Sequence, residues 1–252
     1  VSFDYTLPVT KTFGLVVTGQ TQSRFIEQQR STKGYTATGA GTGASFERPY
    51  LSSHQFISVA RVNERNSAAI KADWRPHPSG VLSLSLERSQ FISDRSNASM
   101  TYSTGTNGTP TPANGVAMAF GDTFTQGATG RGSVTLMNLG ASVVQKLDAK
   151  AASLRYRFDD GTWRIMAGFG KSNSEGGYQD TRDGRFRTLN ITTVNPVRVT
   201  LADINELRPW SFQVFDNNNQ PVDPNNLNNY RLNTAQSTPR PIRDSLTNLK
   251  LD

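Results

Sequence analysis

The residues that the sequence lacks narrow the functions open to it. Its 252 residues include no cysteine, which excludes disulfide bonds and thiolate metal sites. His54 and His77 are the only histidines, and they fall on different sides of the predicted sheet, so we expect no histidine-based metal or catalytic centre. No run of about 18 apolar residues occurs, and no transmembrane helix is therefore predicted. We expect no enzyme activity, no cofactor and no metal.

The chain carries a net positive charge, and its basic residues are spread along the sequence. The formal net charge is +7, from 27 Lys and Arg against 20 Asp and Glu. The arginines are dispersed along the sequence, whereas a nucleic-acid footprint is a basic cluster on one face. We therefore expect no nucleic-acid partner.

Alternation of apolar and polar residues is the main positive signal, and it is clearest over residues 152–169. Asp160-Gly161 lies at the middle of this stretch and predicts a two-residue type I′ hairpin turn. That turn would pair Phe158 with Trp163 and gather the apolar residues on one face. A barrel strand in a membrane and a soluble sheet with one buried face both show this pattern.

The other face of the predicted hairpin is cationic. The predicted turn sets Arg157 directly against Arg164, and like charges so placed destabilise a sheet unless a carboxylate such as Asp159 lies between them. Two interpretations stay open: a solvated polar face, or a charged lumen wall that contacts a plug domain or passing anions. The candidate lumen-wall residues are Lys71, Asp73, Arg75, Arg155, Arg157 and Arg164.

Short turns alternate with long loops along the chain. The predicted short turns cover residues 7–12, 76–80 and 159–162, and the predicted long loops cover about 29–62, 93–145 and 171–243. Aromatic residues flank the short turns, and Trp74, Phe158 and Trp163 are the candidate membrane girdle. This asymmetry is typical of transmembrane β-barrels. We predict an all-β antiparallel meander forming part of such a barrel, as one domain over residues 1–252, and expect it to be a section of a longer protein.

Several strand-forming segments resemble barrel segments of TonB-dependent outer-membrane receptors. These segments are residues 13–17, 71–76, 82–86 and 249–252. The resemblance implies a barrel of about 22 strands with a plugged lumen. It also implies a location in the bacterial outer membrane, contact with outer-membrane lipid, and import of a scarce nutrient such as a siderophore or an oligosaccharide. The sequence shows no plug domain and no energy-coupling box, so the plug and TonB are partners expected of the full-length protein.

Ligand contacts are expected from the loop region 176–230, because binding residues concentrate on loops held by a rigid scaffold. Arginines there would donate charge-assisted hydrogen bonds to an anionic ligand, and aromatics would offer a stacking surface. The candidates are Arg182, Arg185, Arg187, Trp210 and Tyr230. The alternatives to a receptor are a passive porin, an adhesin-like barrel and a soluble secreted β-sandwich that binds carbohydrate.

Overall fold

The computed structural model describes residues 1–138, 143–179 and 185–251. These residues form an all-β structure, in which the one helical element is a 3₁₀ turn at Leu227–Asn229. The strands are β1 (Ser2–Pro8), β2 (Phe13–Thr36), β3 (Tyr50–His77), β4 (Gly80–Ser103), β5 (Ala119–Phe120), β6 (Phe124–Gln126), β7 (Ser133–Asn138), β8 (Val144–Asp159), β9 (Arg164–Tyr178), β10 (Thr188–Thr193), β11 (Arg198–Ala202), β12 (Ser211–Phe215), β13 (Tyr230–Gln236) and β14 (Pro241–Leu251).

Ten of these strands form one antiparallel sheet. β1, β2, β3 and β4 follow one another across it, and β4 then pairs with β8 along its first part and with β7 near its end. β9 and β14 continue the sheet beyond β8, and β10 and β13 continue it beyond β7. The sheet is thus an antiparallel meander, and within the described ranges it is not closed.

Three hairpins of this sheet confirm the predicted pairing around the short turns. β1 pairs with β2, β3 with β4, and β8 with β9, all antiparallel and all in the same sheet. The local alternation of residues was sufficient to identify them, because side chains in a strand alternate between two faces.

The predicted type I′ turn at Asp160-Gly161 is wrong. Asp159 pairs with Arg164, which leaves a four-residue turn, and Gly161 has a positive φ of +89° whereas Asp160 does not. The Asp160 Oδ1 accepts hydrogen bonds from the backbone N–H of Thr162 at 2.9 Å and of Trp163 at 2.7 Å. An aspartate side chain that closes the turn itself removes the need for a second left-handed residue.

The predicted clash of Arg157 with Arg164 is also wrong. Arg157 lies opposite Met166, and Arg164 forms an ion pair with Asp159 at 3.0 Å. The register differs from the predicted one by two residues. An even shift leaves each side chain on its predicted face, so the division of the hairpin into two faces holds.

The predicted long loops are much shorter in the structure. β2 runs to Thr36 and β3 begins at Tyr50, so strand covers most of predicted loop 29–62. β4 likewise runs to Ser103. The halves of these strands that lie away from the short turns, which we call the upper halves, carry polar residues on both faces. Period-2 alternation is therefore lost there, although the backbone hydrogen-bond ladder continues.

The remaining loop segments build a second sheet. β12, β11, β6 and β5 pair in that order, and we call these four strands the cap. A buried cluster joins the cap to the main sheet. Its members are Leu51, Tyr102, Val134, Val197, Val199, Leu201 and Val214. A buried hydrophobic core therefore lies at the long-loop end, where the sequence predicted irregular chain.

Candidate functional site

A continuous apolar band crosses one face of the main sheet at the short-turn end. The register aligns its members from strand to strand, as in the row formed by Trp74, Leu82 and Tyr156. We call this face the band face and the opposite one the polar face. The apolar band consists of Phe3, Tyr5, Leu7, Phe13, Leu15, Val17, Ile70, Ala72, Trp74, Leu82, Leu84, Leu86, Ala152, Leu154, Tyr156, Phe158, Ile165, Ala167, Phe169, Leu249 and Leu251.

The band is exposed. Trp74 is 48% exposed, Leu84 40%, Leu154 43% and Phe169 47%. These side chains lie in the middle of a sheet, where a soluble protein would pack a second layer over them. The register places Ile70, Leu84, Tyr156 and Ile165, from four different strands, on this one face.

The cap packs on this same face, farther along the strands. Phe212 of the cap has its ring 5.2 Å from that of Phe56 and 4.8 Å from that of Tyr102. Phe56 and Tyr102 share the face of Trp74 and Leu82, because the β3–β4 register is unbroken between them. The cap therefore covers the apolar residues of the band face at the long-loop end and leaves the apolar band bare.

The level of the band changes across the sheet. On β1 it reaches Phe3, which lies opposite Gly19, one row above the limit of the band on β2. On β9 it reaches down to Ile165, which lies opposite Phe158. The limits of the band thus shift along the strands from one edge of the sheet to the other. Such a shift is what results when strands are tilted relative to a plane and the band runs parallel to that plane.

The polar face carries the candidate lumen-wall residues. The Nζ of Lys71 lies 3.2 Å from the Oδ2 of Asp73, and the Oδ1 of Asp73 accepts a hydrogen bond from the Ser83 hydroxyl at 2.5 Å. Arg155 lies opposite Ser83 on the neighbouring strand. Arg75, Arg157 and Arg164 follow the same alternation. The structure thus gathers these six residues on one face, and their contact with a lumen stays a prediction.

The candidate girdle residues lie in successive levels at the short-turn end. Phe158 is one row beyond the row of Trp74, and Trp163 follows in the β8–β9 turn with 68% exposure. Beside them, the His77 Nε2 and the Tyr156 hydroxyl lie 2.9 Å apart. A role as a membrane girdle stays a prediction.

The candidate ligand residues near the β9–β10 connection contact residues of the main sheet. The Nη1 of Arg185 lies 2.7 Å from the Oδ1 of Asp94. The guanidinium of Arg187 lies over the Tyr178 ring, 5.1 Å from its centre. Arg182 falls outside the described residues.

The two candidate aromatics lie elsewhere, in and beside the cap. Trp210 is 56% exposed, and the guanidinium of Arg208 lies 3.9 Å from its ring centre. Tyr230 packs against the cap core and donates its hydroxyl to the Pro224 carbonyl at 2.6 Å. Burial raises the pKa of Tyr230 to about 12, so it is a neutral packed residue. The structure does not bring the described candidates into one site.

A set of five arginines on the polar face was missed by the sequence analysis. They are Arg24, Arg30, Arg61, Arg65 and Arg95. We call them the arginine patch. Even spacing within a strand, as between Arg61 and Arg65, was the available signal, because it places two residues on one face. The assignment of residues 29–62 to a loop hid it.

Comparison with known proteins gives no relative: the chain matches no protein-family model, no curated protein and no solved structure. In the portion that the structure describes, no helix is long and apolar enough to span a membrane. The same portion holds no group of three or more His, Cys, Asp or Glu suited to a metal ion.

Proposed function

We propose that the chain forms part of the wall of an outer-membrane β-barrel of the TonB-dependent receptor type, which imports a nutrient. The observation that carries this proposal is the exposed apolar band, aligned by register across the sheet and opposed by a charged face. Burial of apolar surface stabilises by about 25 cal/mol per Å². A band this wide is unfavourable in water, and soluble monomers rarely expose contiguous apolar patches of more than a few hundred Å².

The cap supports lipid as the partner of the band. At the long-loop end, contact between the cap and the main sheet buries apolar side chains of both, as at Val134 of the main sheet and Leu201 of the cap, both 0% exposed. The apolar band at the short-turn end has no such cover, as at Leu84 and Leu154, which are 40% and 43% exposed. Protein would thus cover the apolar surface above the membrane, and acyl chains would cover it within the membrane.

The polar face supports a wet lumen. Lys71, Asp73 and Arg155 could not face hydrocarbon, because burying a charge without water or partners costs many kcal/mol. Barrels with polar interiors place such residues inside, in strict alternation with the lipid-facing ones.

Strand length supports the proposed orientation. β3 has 28 residues, whereas about 9–11 residues cross a bilayer. The short turns would lie on the periplasmic side, and the excess length with the cap would extend outward, as the long connections of such barrels do.

Spin labels test which face meets lipid, and since these 252 residues include no cysteine, none of their native side chains competes for the label. We would label Leu84→Cys and its neighbour Ser83→Cys in the full-length protein, in lipid vesicles. Oxygen, which concentrates in lipid, should relax the label at Leu84→Cys more strongly than a water-soluble nickel chelate does. The label at Ser83→Cys should show the reverse. A label at Leu84→Cys that neither reagent reaches would contradict the proposal and favour a sandwich core.

The receptor type needs a separate test, because a porin or an adhesin would give the same labelling. We would measure binding of the purified periplasmic domain of TonB to the full-length protein in detergent. Saturable binding supports an energy-coupled receptor. Its absence, with correct spin-label accessibility, would leave a barrel of the passive or adhesive kind.

A further inference from the structure

We propose that the arginine patch binds a compact anion with several charged groups, of the polyphosphate or polycarboxylate class. The binding needs only the sheet. Its place on an import path rests on the function proposed above.

The register concentrates positive charge on three adjacent strands. Arg61 of β3 lies directly opposite Arg95 of β4. Arg24 of β2 lies opposite Asn63, so it is diagonal to both Arg61 and Arg65. Directly opposite side chains have their Cβ atoms about 4.5–5.5 Å apart, and diagonal ones about 7–8 Å apart. Arg24, Arg61, Arg65 and Arg95 are therefore within reach of one small ligand, whereas Arg30, which lies opposite Ile57, is farther along the strands.

The patch has no carboxylate of its own. In the rows that hold the patch, which are residues 24–30 of β2, 57–65 of β3 and 91–99 of β4, the acidic residues are Glu27, Glu64 and Asp94, and alternation places all three on the band face. Glu87 of β4 is on the polar face but lies outside these rows, opposite Ala69. None of the ion pairs among the described residues includes an arginine of the patch. Among the described residues, the positive charge of the patch is therefore not balanced by an ion pair.

Two of these guanidinium groups are partly desolvated and incompletely bonded. The Nε atoms of Arg61 and Arg95 are buried and have no hydrogen-bond partner in the structure. The Nη2 of Arg95 donates to the Gln145 side-chain oxygen at 3.1 Å, a neutral acceptor. Like charges directly opposite each other destabilise a sheet, and a bound anion would remove that repulsion.

The arrangement selects for more than one charged group on the ligand. Each guanidinium presents a planar fork of donors that matches a carboxylate or phosphate. Neighbouring strands lie about 4.8 Å apart, so the patch spans about 10 Å across β2, β3 and β4. The Arg65 guanidinium lies 5.6 Å from the centre of the Phe91 ring, a contact that favours a flat orientation. A linear or branched polyanion fits this pattern better than a single phosphate.

Calorimetry on the full-length protein in detergent tests the site, with tripolyphosphate and citrate as probes. We expect saturable binding of at least one probe, weakened by added salt because exposed charges are screened. The double variant Arg61→Gln, Arg95→Gln should reduce the affinity about tenfold or more. The variant Arg61→Lys, Arg95→Lys keeps the charge but loses the forks and should be intermediate.

The control is Arg88→Gln with Lys150→Gln, which removes the same charge from the band face of neighbouring strands. It should change the affinity less than twofold. An equal loss in both double variants would show a bulk charge effect and overturn the proposal, as would failure of both probes to bind. Binding of a polyglutamate peptide alone would also overturn it, in favour of an acidic protein segment. The spin-label experiment is independent, so either proposal can fail alone.

Discussion

Leu84 of β4 lies directly opposite Leu154 of β8, and the two side chains are 40% and 43% exposed. Paired leucines at the centre of a wide sheet are normally the middle of a core. Here each has strand neighbours on both sides and no layer burying it from above. The exposure of this pair distinguishes the apolar band of the main sheet from the cap, where the central apolar side chains are buried.

A charge placed on the band face should be far more damaging than the same charge one residue away. We expect Leu154→Arg to destabilise the full-length protein in lipid vesicles by about 2–4 kcal/mol, the cost of arginine near the middle of a bilayer. Ser153→Arg, on the polar face, should cost much less. Urea unfolding monitored by tryptophan fluorescence measures both. Equal losses would contradict the assignment of the two faces.

Gly161 should be required for its backbone conformation alone. Its φ of +89° is unfavourable for other residues, and an added Cβ would meet no atom within 4 Å. We expect Gly161→Ala to destabilise by about 1–2 kcal/mol. Gly168→Ala is the matched control, since its Cβ would make only an ordinary contact of 3.9 Å and its φ is not positive. It should be neutral or slightly stabilising.

His54, which lies outside the proposed membrane belt, should make the cap sensitive to acid. Burial, and then the charges of Lys33 and Arg208, lower the pKa of His54 from 6.5 to about 4. Between these values the unfolded chain binds a proton that the folded chain does not, so lowering the pH favours unfolding. The contribution of neutral His54 to the free energy of unfolding is therefore fully present above pH 6.5, and the free energy of unfolding should fall by about 2 kcal/mol between pH 7 and pH 5.

Hydrogen exchange of the β12 amides, corrected for intrinsic rates, measures this loss. His54→Gln removes the titrating group while its amide can still bond to the Ser31 hydroxyl, which lies 3.0 Å from the His54 Nε2. The variant should show a flatter pH dependence. An unchanged slope would assign the acid sensitivity to other groups.

The cap should behave as an ordinary protein core. Leu201 is 0% exposed within its central strand, and Leu201→Ala should destabilise the cap by about 2–5 kcal/mol through lost contacts and a cavity. Leu227→Ala is the control, because Leu227 is 71% exposed in the same region. Protection of the β11 and β12 amides from hydrogen exchange reports the difference. Equal effects would show that Leu201 is not part of a cooperative core.

Sequence reasoning succeeded where one face of a strand is apolar. The alternation at Ile70 and Leu84 is local information, and it identified the three hairpins and the two faces. It failed in the turn after Asp159, because the side chain of Asp160 competes with the backbone pattern that the Asp-Gly motif usually favours. It failed again in the upper halves of β2 and β3, where neither face is consistently apolar.

The site followed the same division. Lys71, Asp73 and Arg155 could be grouped in advance, since each lies in an alternating segment whose face is readable. Arg61 and Arg95 could not be paired, because they are 34 positions apart and their opposition depends on the β3–β4 register. The described ligand candidates chosen from loops are spread between the main sheet and the cap, because the presence of two residues in predicted loops does not indicate how far apart they lie.

The sequence by itself determined the strand segments next to the three short turns, the positions of those turns and the side of each such segment that is apolar, because these depend on the identity of neighbouring residues and on a period of two. Only the tertiary structure decided which rows those residues share across the sheet, and so whether separate apolar runs join into one band. It also decided that Val199 and Leu201 would be buried while Leu84 would not. Both outcomes depend on register and on packing between distant segments, and register is fixed by the whole ladder of backbone hydrogen bonds and not by any one stretch.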